Sequence, residues 1–424
     1  MMTGTWLRVL LIGALVAGCI AGPAGAATLG TDWKVRTPGE GAYLGITTAP
    51  DASLIYAGGP EILVRSWDGT IRWGYMPARF GVISYDVRRV ILAIGNQLSV
   101  RDNRGIENWS RNMDGYVTAA AISPNGSWIV SVDNKGNYVT WSRDGDLIAR
   151  IKNDTPTTIA FAPSGDLLVA ATDRGLRFYN HKLELIWYDN RTESRDTFIQ
   201  ISGDGSTVIV AGYNQVASYS GDGTLNWRKE VTTNPIIDMH GSFDCSAIFV
   251  GGQDKEVVAL DRSGEVRWRY GTGQWVNAIG VSRDASVVAA GGIDRTVTVF
   301  DRSGTVSLTK KTDAIIQPRS IAVSSDGRRI VVADQANLYG FTMIGDAVAP
   351  DVPETYTQAP LNPVETTNPA PTIRWTPAET PATAPATTLP PATTIPVRPT
   401  TYTPIDPGIV LPALGAAFLI VRRK

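Results

Sequence analysis

A repeat of about 40 residues, with four short strands in each copy, predicts an all-β propeller of eight four-stranded blades. Three observations support this fold class. A Gly is followed four residues later by Trp, as at Gly69 and Trp73, just after an apolar strand. A small tetrapeptide, such as the one at residues 123–126, divides two apolar runs in each copy. The last copy lacks a fourth strand, and residues 32–35 at the N-terminus form a spare one.

The Gly and Trp marks recur at intervals of 36 to 41 residues, and the Trp positions or their substitutes are residues 73, 109, 149, 187, 227, 268 and 308. Trp187 stands without its Gly, whereas Gly145 and Gly304 stand without their Trp. A ligand site needs convergent side chains, and a periodic series does not supply them. Packing between blades is therefore our interpretation of Trp33, Trp73, Trp109, Trp187, Trp227 and Trp268, and stacking of sugars or bases is the alternative.

The tetrapeptides fix the number of units. They occupy residues 49–52, 123–126, 162–165, 202–205, 242–245, 282–285 and 324–327, with a degenerate copy at 85–88. Pro at their second position and Asp, Asn or Gly after it suit tight turns between antiparallel strands. Eight units then start near residues 43, 81, 117, 157, 197, 235, 276 and 319. Seven blades remain the alternative, in which the weak second unit would not form a blade.

Residues 1–27 are interpreted as a secretory signal peptide. Arg8 supplies the positive charge, residues 9–16 are apolar, and residues 24–26 form a small-residue cleavage site. One alternative is a first transmembrane helix, although Gly and Pro interrupt the apolar run. Another is a lipobox that ends at Cys19 and would place a lipid on that residue.

The propeller is expected over residues 28–346, and a disordered stalk rich in Pro and Thr over 347–404. Residues 405–424 contain Pro407-Gly408, a short apolar run and three terminal cations. This tail resembles the C-terminal sorting signals of archaeal surface proteins, with Ile409 where their Pro-Gly-Phe motif has Phe. The resemblance implies an anchor at the outer face of the membrane, either cleaved and lipidated or kept as a membrane span.

Residues 260–268 resemble the repeat of quinoprotein-type propellers, in which Asp, Gly and Trp recur at this spacing. Residues 121–126 and 161–165 resemble WD40 repeats, and Asp254 and Asp294 stand where WD40 units carry an Asp that stabilises a turn. The resemblance covers about residues 32–346. It implies a propeller fold and no particular chemistry, because such families share a frame and not a reaction.

Few residues suit catalysis or metal binding. The net charge of −1 gives no electrostatic reason to expect nucleic acid as a partner. The only Cys residues are Cys19 and Cys245, and the only His residues are His181 and His240. The pair His240 and Asp238 suggests acid–base chemistry, but a structural or surface His is the favoured interpretation. We therefore predict no catalytic, cofactor-binding or metal-binding residue and no cofactor, including a quinone.

Four sequons are candidate N-glycosylation sites: Asn108, Asn125, Asn153 and Asn190. Asn125 is favoured because it falls in a predicted exposed turn, and Asn108 is disfavoured because it adjoins Trp109.

The sequence thus predicts a monomeric propeller at the cell surface that binds a surface protein or glycan and is not an enzyme. The alternatives are an exported oxidoreductase or hydrolase with catalytic groups in its channel, and a structural component of the cell envelope.

Overall fold

The computed structural model describes residues 28–36, 45–58, 62–75, 80–84, 86–190 and 197–344. These residues form eight antiparallel sheets of four strands each, which are the blades of a propeller. The described ranges contain no helix, and therefore none long and apolar enough to cross a membrane. The predicted all-β propeller of eight blades is confirmed, and the seven-blade alternative is wrong.

The blades follow one another in chain order. Blade 1 contains β2 (Gly45–Thr48), β3 (Leu54–Gly58), β4 (Ile62–Ser66) and β5 (Ile71–Tyr75). Blade 2 contains β6 (Phe80–Ile83), β7 (Arg89–Ile94), β8 (Gln97–Asp102) and β9 (Glu107–Asn112). Blade 3 contains β10 (Val117–Ile122), β11 (Trp128–Asp133), β12 (Asn137–Ser142) and β13 (Leu147–Lys152). Blade 4 contains β14 (Pro156–Phe161), β15 (Leu167–Thr172), β16 (Gly175–Asn180) and β17 (Leu185–Asp189).

Blade 5 contains β18 (Thr197–Ile201), β19 (Thr207–Gly212), β20 (Gln215–Ser220) and β21 (Leu225–Glu230). Blade 6 contains β22 (Ile236–Gly241), β23 (Ala247–Gly252), β24 (Glu256–Asp261) and β25 (Val266–Gly271). Blade 7 contains β26 (Val276–Val281), β27 (Val288–Gly292), β28 (Thr296–Phe300) and β29 (Val306–Lys311). Blade 8 contains β30 (Ile316–Val323), β31 (Arg329–Asp334), β32 (Asn337–Ile344) and the N-terminal β1 (Thr28–Arg36).

The hydrophobic pattern of each strand follows from its place in the blade. Second strands are covered on both faces by neighbouring blades, so that all six residues of β15 and of β23 are buried. Fourth strands face a neighbouring blade on one side and solvent on the other. In β25, for example, Trp268 and Tyr270 are partly buried whereas Arg267 and Arg269 are exposed.

The N-terminal strand closes the ring, as the sequence predicts. β1 pairs antiparallel with β32, and Trp33 lies opposite Gly340. A Cβ atom on Gly340 would lie 2.3 Å from Nε1 of Trp33, so only Gly fits beneath this indole. Blade 8 therefore joins the first and last strands of the propeller, and residues 28–344 contain every strand of the closed ring. Closure of this kind protects the end of the strand array from pairing with other chains.

The predicted tight turns connect the first and second strands of each blade. We call them the inner turns. In the turn of blade 5, the Gly205 N–H donates to the Ser202 carbonyl at 2.8 Å, and the Ser202 hydroxyl donates to Asp204 at 2.6 Å. The fourth residue has a positive φ in all eight turns: Ala52, Val87, Gly126, Gly165, Gly205, Cys245, Ala285 and Gly327. This requirement explains why Gly recurs there.

Two predicted boundaries differ from the structure. The inner turn of blade 2 starts at Ser84 and not at residue 85, because the N–H that closes the turn on the Ser84 carbonyl belongs to Val87. The eighth unit starts at Ile316, three residues before the predicted position, because its first strand carries extra residues.

The predicted signal peptide (1–27), including Cys19, and the predicted stalk (347–404) and anchor (405–424) lie outside the described residues.

Candidate functional site

The six tryptophans of the predicted series lie at six boundaries between blades. The ring of Trp73 covers Gly105 of the next blade, and its Nε1 donates to the Asn103 carbonyl at 2.9 Å. A Cβ atom on Gly105 would lie 2.7 Å from this ring. The same packing of an indole ring over a Gly joins Trp33 to Gly69, Trp109 to Gly145, Trp187 to Gly223, Trp227 to Gly264 and Trp268 to Gly304. These indoles thus fill separate gaps and do not gather around one cavity.

At the boundary between blades 3 and 4, the small and the large side chain have exchanged sides. Ala149 takes the place of Trp in blade 3, and Leu183 takes the place of Gly in blade 4. Leu183 has a φ of 59°, is only 3% exposed, and belongs to the same apolar cluster as Ala149. The larger side chain has therefore moved to the other side of the boundary. This exchange explains why Trp is missing at residue 149 and Gly at residue 183.

The first strands of the blades line a central channel that holds a cavity of about 430 Å³. Most of its wall is apolar, with Phe80, Phe198, Ile199 and Met239 among the lining residues. Its acidic and basic lining residues are Asp238, His240 and Arg319. An apolar cavity with a few convergent polar groups is the usual form of a ligand site. We therefore take this cavity as the candidate functional site.

Asp238 links two blades from within the wall. Its Oδ1 accepts a hydrogen bond from Met239 N at 3.0 Å, and its Oδ2 accepts one from Ile279 N of β26 at 2.9 Å. Burial raises the pKa of this carboxyl, whereas His240, Arg319 and the two N–H groups act in the opposite direction. Nε2 of His240 is 3.8 Å from Oδ1, too far for a hydrogen bond. His240 and Asp238 are therefore adjacent but not hydrogen-bonded, and Asp238 connects blade 6 to blade 7.

Arg319 reaches the cavity from an irregular part of β30. Ile316 pairs with Asp334 and Ile321 with Val332, so residues 317–320 all stand opposite Ala333. Arg319 has a φ of 57°, and its guanidinium carbon lies 4.6 Å from the ring centroid of Phe198. Sequence reasoning missed this residue. The available signal was length, since β30 has eight residues where β10, β14, β22 and β26 have six.

One end of the channel is framed by backbone hydrogen bonds between inner turns. Gly203 N donates to Phe243 O at 2.7 Å, and Phe243 N donates to Arg283 O at 2.8 Å. Arg283 N then donates to Ser325 O at 3.1 Å, and Ser325 N to Pro50 O at 2.6 Å. Five consecutive blades, from blade 5 through blade 8 to blade 1, are joined in this way. The channel is therefore held in a continuous backbone frame over most of the ring.

The sequons differ in access to the amide nitrogen that would carry a glycan. Asn108 is exposed on β9 because alternate residues of a strand face opposite sides, while Trp109 is buried. Asn125 is exposed in an inner turn and accepts a hydrogen bond through Oδ1 from Ser127 N at 3.0 Å. Asn153 is partly buried, and its Nδ2 donates to Tyr179 at 2.8 Å. Asn190 is exposed, but the rest of its sequon lies outside the described residues.

Cys245 and His181 occupy structural positions. Cys245 is the buried fourth residue of an inner turn, and burial raises the pKa of its thiol to about 12, which disfavours the reactive thiolate. The imidazole of His181 stacks on Trp128, with a centroid distance of 4.5 Å.

Comparison with known proteins agrees with this architecture. The family model described as outer membrane protein assembly factor BamB matches residues 212–351. No curated protein matches the chain. The C-terminal WD40 domain of Sif2 is similar to this chain at 13% identity and a TM-score of 0.63, over 75% of this chain and 99% of that domain.

Two further solved structures show the same fold. Chaetomium thermophilum Sqt1, bound to the N-terminus of ribosomal protein L10, is 14% identical over 72% of this chain and 98% of that one, with a TM-score of 0.60. BamB from Moraxella catarrhalis is 15% identical over 74% of this chain and 100% of that one, with a TM-score of 0.56. The chain therefore shares the propeller fold of BamB and of WD40 proteins, and identities this low establish the fold alone.

Proposed function

We propose that this protein is an exported, monomeric propeller that binds a surface protein or glycan at the outer face of the cell membrane. The signal peptide directs export, the tail of the archaeal type anchors the chain, and the stalk of Pro and Thr holds the propeller away from the membrane. Asn125 remains the preferred glycosylation site, and Asn108, which its neighbour Trp109 disfavours in the sequence, becomes a second candidate because its side chain is exposed on β9.

The observation that supports a binding role is the channel wall, where the repeat is broken. A rigid ring surrounds an apolar cavity that a single guanidinium enters from an irregular strand. Recognition residues commonly stand on such a frame. Among the similar structures, Sqt1 has a peptide of another protein bound to it, which is consistent with a binding role for this propeller.

Capture of surface components tests the proposal. Residues 28–346 would be immobilised and exposed to a cell-surface extract, with soluble propeller as competitor. Thr47 is exposed and lines the cavity, so Thr47→Trp should fill it and abolish competed capture. Thr157→Trp is the matched control, because Thr157 is equally exposed on a first strand but does not line the cavity. Absence of competed capture by the unchanged propeller, or equal capture by all three proteins, would contradict a binding function at this site.

The convergence of Asp238, His240 and Arg319 favours an oxidoreductase or hydrolase as a second candidate. Binding is preferred because both oxygens of Asp238 already accept backbone N–H groups. Turnover of a substrate by the unchanged protein, lost in Asp238→Asn while the fold is kept, would favour the enzyme. Self-assembly of the propeller without affinity for other surface components would instead favour a structural role in the envelope.

A further inference from the structure

We propose that the channel cavity binds a carboxylate attached to an apolar group, through the guanidinium of Arg319. This inference rests on the proposed binding function and names the chemical class of its ligand. Two sources would supply such a group: a small free carboxylic acid, or the C-terminal carboxylate of another protein.

The backbone conformation of Arg319 is unlike that of every comparable residue. Nine residues other than Gly have a positive φ in the described part of the chain, and eight of them lie in turns between strands. Arg319 alone lies within a strand. A residue other than Gly is strained in the left-handed backbone conformation. Backbone strain of this kind is concentrated at functional sites. β30 therefore departs from regular strand conformation at the residue whose side chain reaches the cavity.

The irregular segment is held by specific contacts and is not a frayed end. Ser320 is buried, and its hydroxyl donates to the Ala333 carbonyl at 2.9 Å. Asn277 of blade 7 donates through Nδ2 to the Ile316 carbonyl at 2.9 Å. Because both ends of the segment are fixed, Arg319 is presented to the cavity in a preorganised backbone, which lowers the entropic cost of binding.

Among the described residues, no carboxylate forms an ion pair or hydrogen bond with this guanidinium, and Asp238 acts on it only at longer range. Its ring contact is Phe198, and no carboxylate lies within ion-pair distance. The nearby Asp238 directs its two oxygens at backbone N–H groups of Met239 and Ile279. The N–H donors of Arg319 are therefore free to receive a ligand, and their planar arrangement matches a carboxylate in a bidentate pair.

The rest of the wall narrows the choice of ligand. Phe80, Ile199 and Met239 line the same cavity with apolar surface, which suits a phenyl or alkyl group attached to the acid. A phosphate would carry more negative charge toward the buried Asp238 carboxyl, which lies close to the same guanidinium. One guanidinium facing one carboxylate, with the apolar group on the wall, gives the best balance of charge.

Calorimetric titration of residues 28–346 tests the inference with phenylacetate as probe, because every strand of the ring lies in this range. Phenylacetamide replaces the acid by a neutral group of the same shape, and phenyl phosphate adds charge. A hexapeptide ending in Phe, as free acid or amide, represents the C-terminus of a protein. We expect an acid to bind at least about tenfold more tightly than its amide and than phenyl phosphate. Binding of phenylacetate identifies a small acid as the source, whereas binding of the peptide acid alone identifies a chain end.

Arg319→Gln should weaken binding of the acid at least about tenfold without lowering the thermal midpoint. Arg295→Gln is the matched control, since Arg295 is also exposed at a positive φ of 61° but does not line the cavity, and it should bind as the unchanged protein does. Equal binding of acid and amide, preference for the phosphate, no binding of either acid, or full binding by Arg319→Gln would each overturn the inference. If Arg319→Gln still captures the surface component that Thr47→Trp loses, the carboxylate site is wrong but the proposed function stands.

Discussion

The outer rim, where the fourth strands carry the Trp and Gly contacts between blades, and the central channel are built from the same repeating unit. The contacts of the rim recur from blade to blade, whereas the residues of the channel site do not. Six boundaries carry a Trp over a Gly, whereas Asp238 and the eight-residue first strand that carries Arg319 each occur in one blade only. A contact that every blade needs must recur with the period of the fold. A ligand site has no such requirement and interrupts the local rules of the sequence. The comparison indicates that stability depends on the rim and recognition on the channel.

The largest effect is expected where a rim Gly lies beneath an indole. In Gly223→Ala the new Cβ would lie 2.4 Å from Trp187 at a φ of 91°. Crowding and left-handed strain together should lower the free energy of unfolding by about 3 kcal/mol. Gly273→Ala is the control, because its φ is 77° but no atom lies within 4 Å of the new Cβ. It should cost about 1 kcal/mol. Equal losses of unfolding free energy in the two variants, measured by urea unfolding, would show that the indole over Gly223 does not limit the size of the residue there.

The exchanged pair at the boundary of blades 3 and 4 gives the next effect. Ala149→Trp should overfill the boundary and Leu183→Gly should empty it, each with a loss of about 2 kcal/mol. The double variant restores the Trp and Gly pair of the other boundaries. Its stability should return to within about 1 kcal/mol of the unchanged protein, a coupling of roughly 3 kcal/mol. Simple addition of the two losses would refute the idea that these residues replace each other across the boundary.

A smaller gain is expected at the inner turn of blade 2. Val87 is β-branched and has a φ of 58°, where four other inner turns place Gly. Val87→Gly should raise the free energy of unfolding by up to about 1 kcal/mol, because it relieves this strain. The reverse change in blade 3, Gly126→Val, should lower it by about 1 to 2 kcal/mol. Thermal unfolding measures both variants. A loss in Val87→Gly would mean that the Val side chain contributes more through packing than it costs through strain.

The smallest effect on stability is expected in the channel. Arg319 is exposed and has no ion pair within the described ranges, so Arg319→Gln should change the free energy of unfolding by less than about 0.5 kcal/mol. Arg319→Gly should be slightly stabilising, since Gly adopts a positive φ without strain. A loss comparable to that of Gly223→Ala, measured by the same unfolding method, would place Arg319 in the structural frame.

The periodic part of the molecule was accessible from the sequence, because one residue type at one spacing reports one contact in every blade. The eight blades, the closing strand at Trp33 and the inner turns all follow from that periodicity. The irregular start of blade 8 is not predicted because its two extra residues precede a normal turn and leave the periodic pattern of turns unchanged. In the sequence, Asp238 stands out only through its neighbour His240. Its actual partner, Ile279 N, lies on the next blade, and a backbone donor leaves no mark in the sequence.

The exchange of Ala149 and Leu183 illustrates an intermediate case. Both departures from the pattern were visible, but their compensation depends on which Gly each indole covers. Each indole covers a Gly of the following blade, so the pairing can be assigned only when the packing of the blades is known.

One paired measurement tests the division between rim and channel most directly: competed capture of the surface component by Arg319→Gln and by Gly223→Ala, each with its thermal midpoint. Arg319→Gln should lose capture while its midpoint is unchanged. Gly223→Ala should keep capture, at a temperature well below its lowered midpoint. Full capture by Arg319→Gln, or a loss of capture that follows the loss of stability in both variants, would contradict the account.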